Sequence, residues 1–342
     1  MNELLTLENR ISALISLGKR ISSLEPEEKE TLARRSHQQN NWFTQESIQL
    51  ALEGIVFLLE EKNLRKWISA YSFPERTEPK NVGIIMAGNI PGVGFHDLIS
   101  VLISGHKASV KLSSADSFFS TWLIQELLEI EPRLKSFISL EEMLKGKDAY
   151  IATGSDNSAR YFIYYFGKYP HIIRANRTSV GILTGTESDQ DLEDLGKDIF
   201  SYFGLGCRNV SKLYAKNKEI LLRLLDVLEK FKSVSDNHKY LNNYEYNKSI
   251  YLVNREDHLD NGFLLLKQSK ELVSPIGVLY YEFYEDAPQL IQELDAQKNK
   301  IQVMVGKKSE CPVFIPFGTA QKPAPWDYAD KVDTLKFLSS LA

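Results

Sequence analysis

From Asn81 onward the chain alternates short apolar runs, glycine-bearing turns and amphipathic stretches, and this alternation leaves few folds open. NVGIIMAG (81–88) enters a turn from Gly88 to Gly94 that holds Asn89 and Pro91. A helix through Asp97 to Ser104 follows, then a strand at ASVKL (108–112) and a helix near Ser117 to Glu129. A strand at DAYIA (148–152) turns at Thr153-Gly154-Ser155 into a helix over Asn157 to Phe166. The second half repeats the pattern: strand TSVGILTG (178–185), helix Asp189 to Phe203, strand Ser211 to Ala215, helix Lys218 to Phe231. Strands are expected at SIYLVN, VLYYEFY and IQVMVG (301–306), with a helix at Ala287 to Ala296 between the last two. Ser233 to Asn247, polar and without periodicity, reads as a long surface loop. Strands separated by helical crossovers predict a parallel α/β sheet covered on both faces. Ligands of such sheets bind where strands end and helices begin.

Ahead of this alternation, residues 1–72 read as helical. Ile48, Leu52, Ile55 and Leu59 recur at helical spacing behind an N-cap at Thr44, and Pro74 and Pro79 close the region around an exposed connection at 75–80. A chain of 342 residues has ample length for a core, as two domains or one large unit. Its formal net charge of −4 argues against a nucleic-acid partner or a basic membrane patch. The N-terminus lacks the uninterrupted apolar stretch of a signal peptide, and no run reaches the ~18 apolar residues of a spanning helix. Two cysteines, Cys207 and Cys311, suit a reducing compartment, so the expectation is a cytoplasmic protein without an integral membrane segment.

Cys207 lies in SYFGLGCRNVSKLYA (201–215), on a glycine-flanked elbow between a helix and a strand. A thiol there is well placed for an approaching carbonyl, and Arg208 supplies part of the electropositive field that a thiolate needs. A buried, inert cysteine is the competing reading. Asn89, at the end of a strand, is placed to donate to an oxyanion or, equally, to hold its own turn. Lys111 interrupts an apolar strand before Ser113 and Ser114; it either reaches a ribose or phosphate or faces outward. Thr153-Gly154-Ser155 opens a helix, where amides and hydroxyls cradle a pyrophosphate or Ser155 caps the helix. His96, His106 and His171 are scattered, which argues against a metal site. Cys311 reads as structural, and the aromatic run Tyr161 to Phe166 as packing.

In this order the segments resemble the aldehyde dehydrogenase superfamily, and within it the LuxC-type fatty acyl-CoA reductases. The likeness runs from about Asn81 to the C-terminus. MAGNIPGVGF resembles the strand ending in the oxyanion-hole asparagine, which implies that role for Asn89. GHKASVKLSS resembles the strand whose lysine holds the adenosine ribose, here Lys111. YIATGS resembles the phosphate-side turn, implying Gly154 and Ser155. FGLGCRNVSKLYA matches the nucleophile segment, with Cys207, and PFGTAQKP (316–323) the late Pro-Phe-Gly segment near the active site. ELVSP (271–275) resembles in part the segment whose glutamate holds the nicotinamide ribose, here Glu271. The implied fold is aldehyde-dehydrogenase-like: N-terminal helices plus a dinucleotide-binding domain over 1–177, and a catalytic domain over 178–342.

Two departures refine the implied chemistry. IIRANRTSVGIL (172–183) offers Arg174 but no acid where hydrolytic relatives carry a water-activating glutamate, which favours thiol exchange with coenzyme A. Ser114 stands where NAD-preferring relatives carry a glutamate; a carboxylate repels a 2′-phosphate and serine does not, which favours NADPH over NADH. The expected activity is NADPH-dependent reduction of a fatty acyl-CoA to the aldehyde through S-acyl-Cys207. Alternatives are a reductase of acyl phosphates, a reductase of acyl groups handed over by an acyl-protein synthetase partner, and an acyl carrier without reductase activity. The chain is shorter than typical aldehyde dehydrogenases, so oligomeric state does not carry over and an oligomer stays open.

Overall fold

Four helices precede the first strand: α1 Leu7–Ser22, α2 Pro26–Gln39, α3 Gln45–Leu59 and α4 Glu61–Ile68. Thr6 and Asn9 form a reciprocal capping box on α1, and Thr44 accepts the Ser47 N–H at the start of α3 as its sequence position predicts. The computed structural model describes residues 5–73 and 78–341, so residues 74–77 of the expected connection lie outside the described residues.

The chain divides into two compact units, Met1–Asn176 with Pro323–Ala342, and Arg177–Lys322. The first holds β1 Asn81–Ile85, α5 Phe95–Ile103, β2 Lys107–Lys111, α6 Ser117–Ile130, β3 Ile138–Leu140, β4 Ala149–Thr153, α7 Asp156–Phe166 and β5 His171–Arg174. Its five strands are parallel in the order β3-β2-β1-β4-β5. Val82, Ile84, Val110 and Ile151 are fully buried at the sheet centre. The N-terminal helices form a layer over this sheet's own helices, with α1 against α5 and α6 and α2 against α6. Arg20 joins Glu126 across that layer at 3.0 Å.

The final segment, Pro323–Ala342, belongs to this first unit, whereas the sequence division at 177/178 leaves it with the second. Buried side chains draw it there. The Trp67 indole donates to the Tyr328 hydroxyl at 2.7 Å, and the Tyr71 hydroxyl donates to Asp333 at 2.9 Å. The His96 and His106 rings meet the Pro325 and Leu338 carbonyls, and His96 also packs against Trp67 and Tyr328. Among the described residues no helix is long and apolar enough to cross a membrane.

The second unit contains β6 Thr178–Leu183, α8 Asp189–Phe200, β7 Val210–Ala215, α9 Lys218–Leu228, α10 His238–Asn254, β8 Leu259–Asp260, β9 Leu265–Gln268, β10 Val278–Phe283, α11 Ala287–Ala296 and β11 Ile301–Val305. Its sheet runs β11-β6-β7-β10-β9-β8, parallel except for the β8–β9 pair. Two sequence expectations fail here. The loop over 233–247 and the strand SIYLVN are instead a 3₁₀ stretch, Glu229–Asp236, and the helix α10. Asn237 caps α10 by accepting from Lys239 and Tyr240, and its buried stripe is Tyr240, Tyr244, Asn247 and Tyr251. Tyrosine and asparagine hold the helical spacing without an apolar signal, which hides the period.

Candidate active site

At the carboxyl edge of the first sheet, β1, β2 and β4 deliver adjacent loops. The β1 loop carries Asn89, which is exposed. Lys111 ends β2 and the loop after it carries Ser113 and Ser114; Thr153 ends β4, followed by Gly154 and Ser155. Strand order reverses across β1, which is where open parallel sheets bind ligands. A Cβ on Gly88 would stand 2.5 Å from the Ser113 hydroxyl, so only glycine lets the β1 and β2 loops meet. A Cβ on Gly154 would stand 2.8 Å from Ser158, so the chain runs tight onto the start of α7.

Asp116, which sequence reasoning missed, ties two of these loops together. Its Oδ2 accepts from the Gly92 N–H and the Ser120 hydroxyl, both at 2.9 Å. Burial pushes its carboxyl up to about 7 against those two donors. Lys111 Nζ donates to the Glu142 carbonyl at 2.7 Å, and Ser155 Oγ accepts the Ser158 N–H at 3.2 Å as the cap of α7. Arg174 is buried and donates to Asp97 at 2.6 Å, to Thr334 at 3.0 Å and to Thr153 at 3.4 Å. It braces β5, α5 and the C-terminal segment.

In the second unit, Cys207 lies at the amino end of β7, half-buried, whereas Cys311 is buried. Between α8 and Cys207, Tyr202 (φ 51°), Phe203 (φ 58°) and Gly204 (φ 79°) are successively left-handed. Two side-chain-bearing residues in that region cost about 1–2 kcal/mol each. Asn209 holds the strained turn. Its Nδ2 donates to the carbonyls of Ser201 (2.8 Å), Asp198 (3.0 Å) and Ile199 (3.3 Å), and its Oδ1 accepts the Gly206 N–H at 2.8 Å. The Cys207 carbonyl accepts from Ser179 Oγ at 3.0 Å.

The Pro-Phe-Gly segment packs beside this turn. Asp198, fully buried, accepts from the Gly318 N–H at 2.7 Å and the Ala320 N–H at 3.0 Å, and Arg208 donates to the Ala320 carbonyl at 3.4 Å. Burial pushes the Asp198 carboxyl up to about 7. Glu271 is exposed on the crossover from β9 to β10, and its N–H donates to Ser269 Oγ at 3.2 Å. Asp116, Asp198 and Asn209 all act on backbone atoms. Their one sequence signal is a polar residue beside a glycine-bearing turn.

The acyl-CoA reductase (LuxC) family profile matches residues 13–219, more than half of the chain. A long-chain acyl-protein thioester reductase of Aliivibrio fischeri is 22% identical over 197 residues, covering 52% of this chain and 39% of that protein. The chain thus aligns with about two-fifths of that relative's length. The aldehyde dehydrogenase KauB of Pseudomonas aeruginosa superposes with a TM-score of 0.64 at 13% identity, over 88% of this chain and 76% of the other. An NADP-dependent enzyme of E. coli gives a TM-score of 0.63 at 13% identity, over 87% and 72%. A Bacillus cereus aldehyde dehydrogenase in complex with NAD+ gives 0.61 at 13% identity, over 90% and 74%. The architecture is that of the aldehyde dehydrogenases.

Proposed function

The chain belongs to the acyl-CoA reductase (LuxC) family, and from that membership we propose that it reduces a long-chain fatty acyl-CoA to the fatty aldehyde with NADPH. The observation that carries the reading is the Cys207 turn: a half-exposed thiol on a strained elbow held by a buried asparagine, beside the Pro-Phe-Gly segment. Strain at an elbow is the kind of feature found at functional sites.

In this reading the Cys207 thiolate attacks the acyl carbonyl carbon, and the carbonyl electron pair moves onto oxygen. Asn89 and the Cys207 backbone N–H donate to that oxygen. The tetrahedral species expels coenzyme A as its thiolate and leaves S-acyl-Cys207. NADPH, when bound, supplies a hydride to the acyl carbon. The same donors hold the thiohemiacetal oxygen until the carbon–sulfur bond breaks, which releases the aldehyde and returns the thiolate.

A dinucleotide suits the loops at the carboxyl edge of the first sheet. The Gly154 Cα packs where a side chain would collide, the start of α7 offers backbone N–H groups, and Lys111 ends β2 with Ser113 and Ser114 just beyond it. Lys111 and Ser114 would hold the adenosine ribose and its 2′-phosphate, Thr153, Gly154 and Ser155 the pyrophosphate, and Glu271 the nicotinamide ribose. A second reading draws on the relative's name, a long-chain acyl-protein thioester reductase: the acyl group arrives as a protein thioester rather than from coenzyme A, as a partner acyl-protein synthetase would hand it over.

The test is NADPH oxidation with tetradecanoyl-CoA, comparing the native protein with Cys207→Ala. Turnover in the native protein alone, with an acyl adduct on Cys207 by intact mass, is the expected result. Turnover that survives Cys207→Ala overturns the nucleophile. An adduct without turnover points to a carrier or to a missing partner, and no adduct at all means that acyl-CoA is the wrong donor.

A further inference from the structure

The β9-to-β10 crossover that carries Glu271 takes its path from two neighbouring side chains of β7, the strand that follows the Cys207 turn. Pairing between β6 and β7 steps from Ser179↔Val210 to Val180↔Lys212, which makes Ser211 the extra residue of a bulge. A bulge re-aims side chains that a regular strand would send to opposite faces. Here both reach the crossover. Ser211 Oγ donates to the Leu272 carbonyl at 2.7 Å and meets Thr178 Oγ1 at 2.6 Å. Lys212 Nζ donates to the Ser269 carbonyl at 2.7 Å and pairs with Glu282.

The Lys212 side chain is 0% exposed. A buried ammonium in a strand is costly against an apolar residue of the same size, so packing alone does not account for it. What it does is fix a carbonyl two residues before Glu271, while Ser211 fixes the carbonyl one residue after. The Glu271 N–H is held locally by Ser269 Oγ at 3.2 Å. The backbone on both sides of Glu271 is thereby anchored to β7, and its side chain stays exposed.

We propose that Ser211 and Lys212 are positioning residues for Glu271, so that the strand issuing from the nucleophile turn also sets where the cofactor-binding carboxylate stands. This rests on the reading of Glu271 as a nicotinamide-ribose ligand. Neither Ser211 nor Lys212 touches the reacting atoms in this assignment.

The experiment uses the full chain and two readouts. One is NADPH affinity without acyl substrate, from the change in nicotinamide fluorescence. The other is the rate of Cys207 S-acylation by tetradecanoyl-CoA without NADPH, from intact mass. Loss of one neutral hydrogen bond in Ser211→Ala should raise the NADPH Kd about three- to tenfold, and loss of the charged donor in Lys212→Met about tenfold or more. S-acylation should stay within about twofold of the native rate in both, since that step draws on Cys207, its turn and Asn89 and not on Glu271. Glu271→Gln should weaken NADPH binding, and should add little when combined with Lys212→Met, because the lysine acts through the glutamate. If Glu271→Gln weakens binding while Ser211→Ala and Lys212→Met leave it unchanged, this proposal fails and the Glu271 reading survives. An unchanged Kd in Glu271→Gln overturns both. An equal loss of S-acylation in the β7 variants shows a general structural role and overturns the proposal. Should Lys212→Met not fold, Ser211→Ala decides alone.

Discussion

Asn89 stands exposed one residue beyond Gly88, whose Cα packs against Ser113. A side-chain amide in that place contributes by donating to charge that develops during reaction, and removing one such donor costs about 10²–10³ in kcat. Asn89→Ala is therefore expected to lower kcat by that factor and to leave NADPH affinity unaltered; steady-state kinetics checks it, and a native kcat removes Asn89 from the oxyanion site. Ser114 is exposed at the end of the β2 loop, its carbonyl receiving the Gln39 amide at 2.9 Å. Ser114→Glu places a carboxylate near the expected 2′-phosphate. Two like charges a few ångströms apart near a surface repel by at least about 1 kcal/mol, so the NADPH-to-NADH preference in kcat/KM should fall about fivefold or more. A ratio that does not move shows that the 2′-phosphate lies elsewhere.

The element that decides the site is the join of α8 to β7. Three left-handed residues turn the chain and Asn209 pins both sides of the turn. Asn209→Ala leaves buried carbonyls without their donor and releases the strain. A loss of about 2–4 kcal/mol in unfolding free energy is expected, measured by urea denaturation, together with slower S-acylation of Cys207. A variant as stable as the native protein would show that Asn209 does not hold the turn. The residues proposed to do chemistry are legible in the sequence as a thiol on a glycine-flanked elbow, an amide at a strand end and a lysine within an otherwise apolar strand. The residues that hold them are not. Asn209, Asp198, Asp116 and Lys212 bond to backbone atoms from other segments, as Asp198 does to Gly318 and Ala320, and no spacing rule reports such partners. Helix α10 was hidden for a related reason, since its buried face is built from tyrosines with polar tips. Strands β3, β5, β8 and β9 give no sequence signal either, since each is two to four residues long, too short to show alternation.

At the scale of the molecule, among the described residues each unit contains one buried carboxyl pushed up to about 7, Asp116 in the first and Asp198 in the second. A carboxyl whose folded pKa exceeds its unfolded value of 3.8 holds an extra proton in the native state between those limits. Its contribution to stability is full below about pH 3.8 and is lost as pH rises through about 7. In that window each group lowers the unfolding free energy by about 1.4 kcal/mol per pH unit as pH rises. Asp198→Asn should flatten the pH dependence by that slope between about pH 5 and 7 relative to the native protein, as read from denaturation series. Parallel slopes would show that Asp198 is ionised throughout. The route of the chain has a consequence for its birth on the ribosome. Arg174 and Trp67 find Thr334 and Tyr328 only after the whole second unit has been made. At about 5–20 residues per second, the nascent first unit waits on the order of ten to thirty seconds with a guanidinium and an indole lacking those two partners. Over that interval those two groups would be open to solvent or to a chaperone, and any pause in translating the second unit would prolong their exposure.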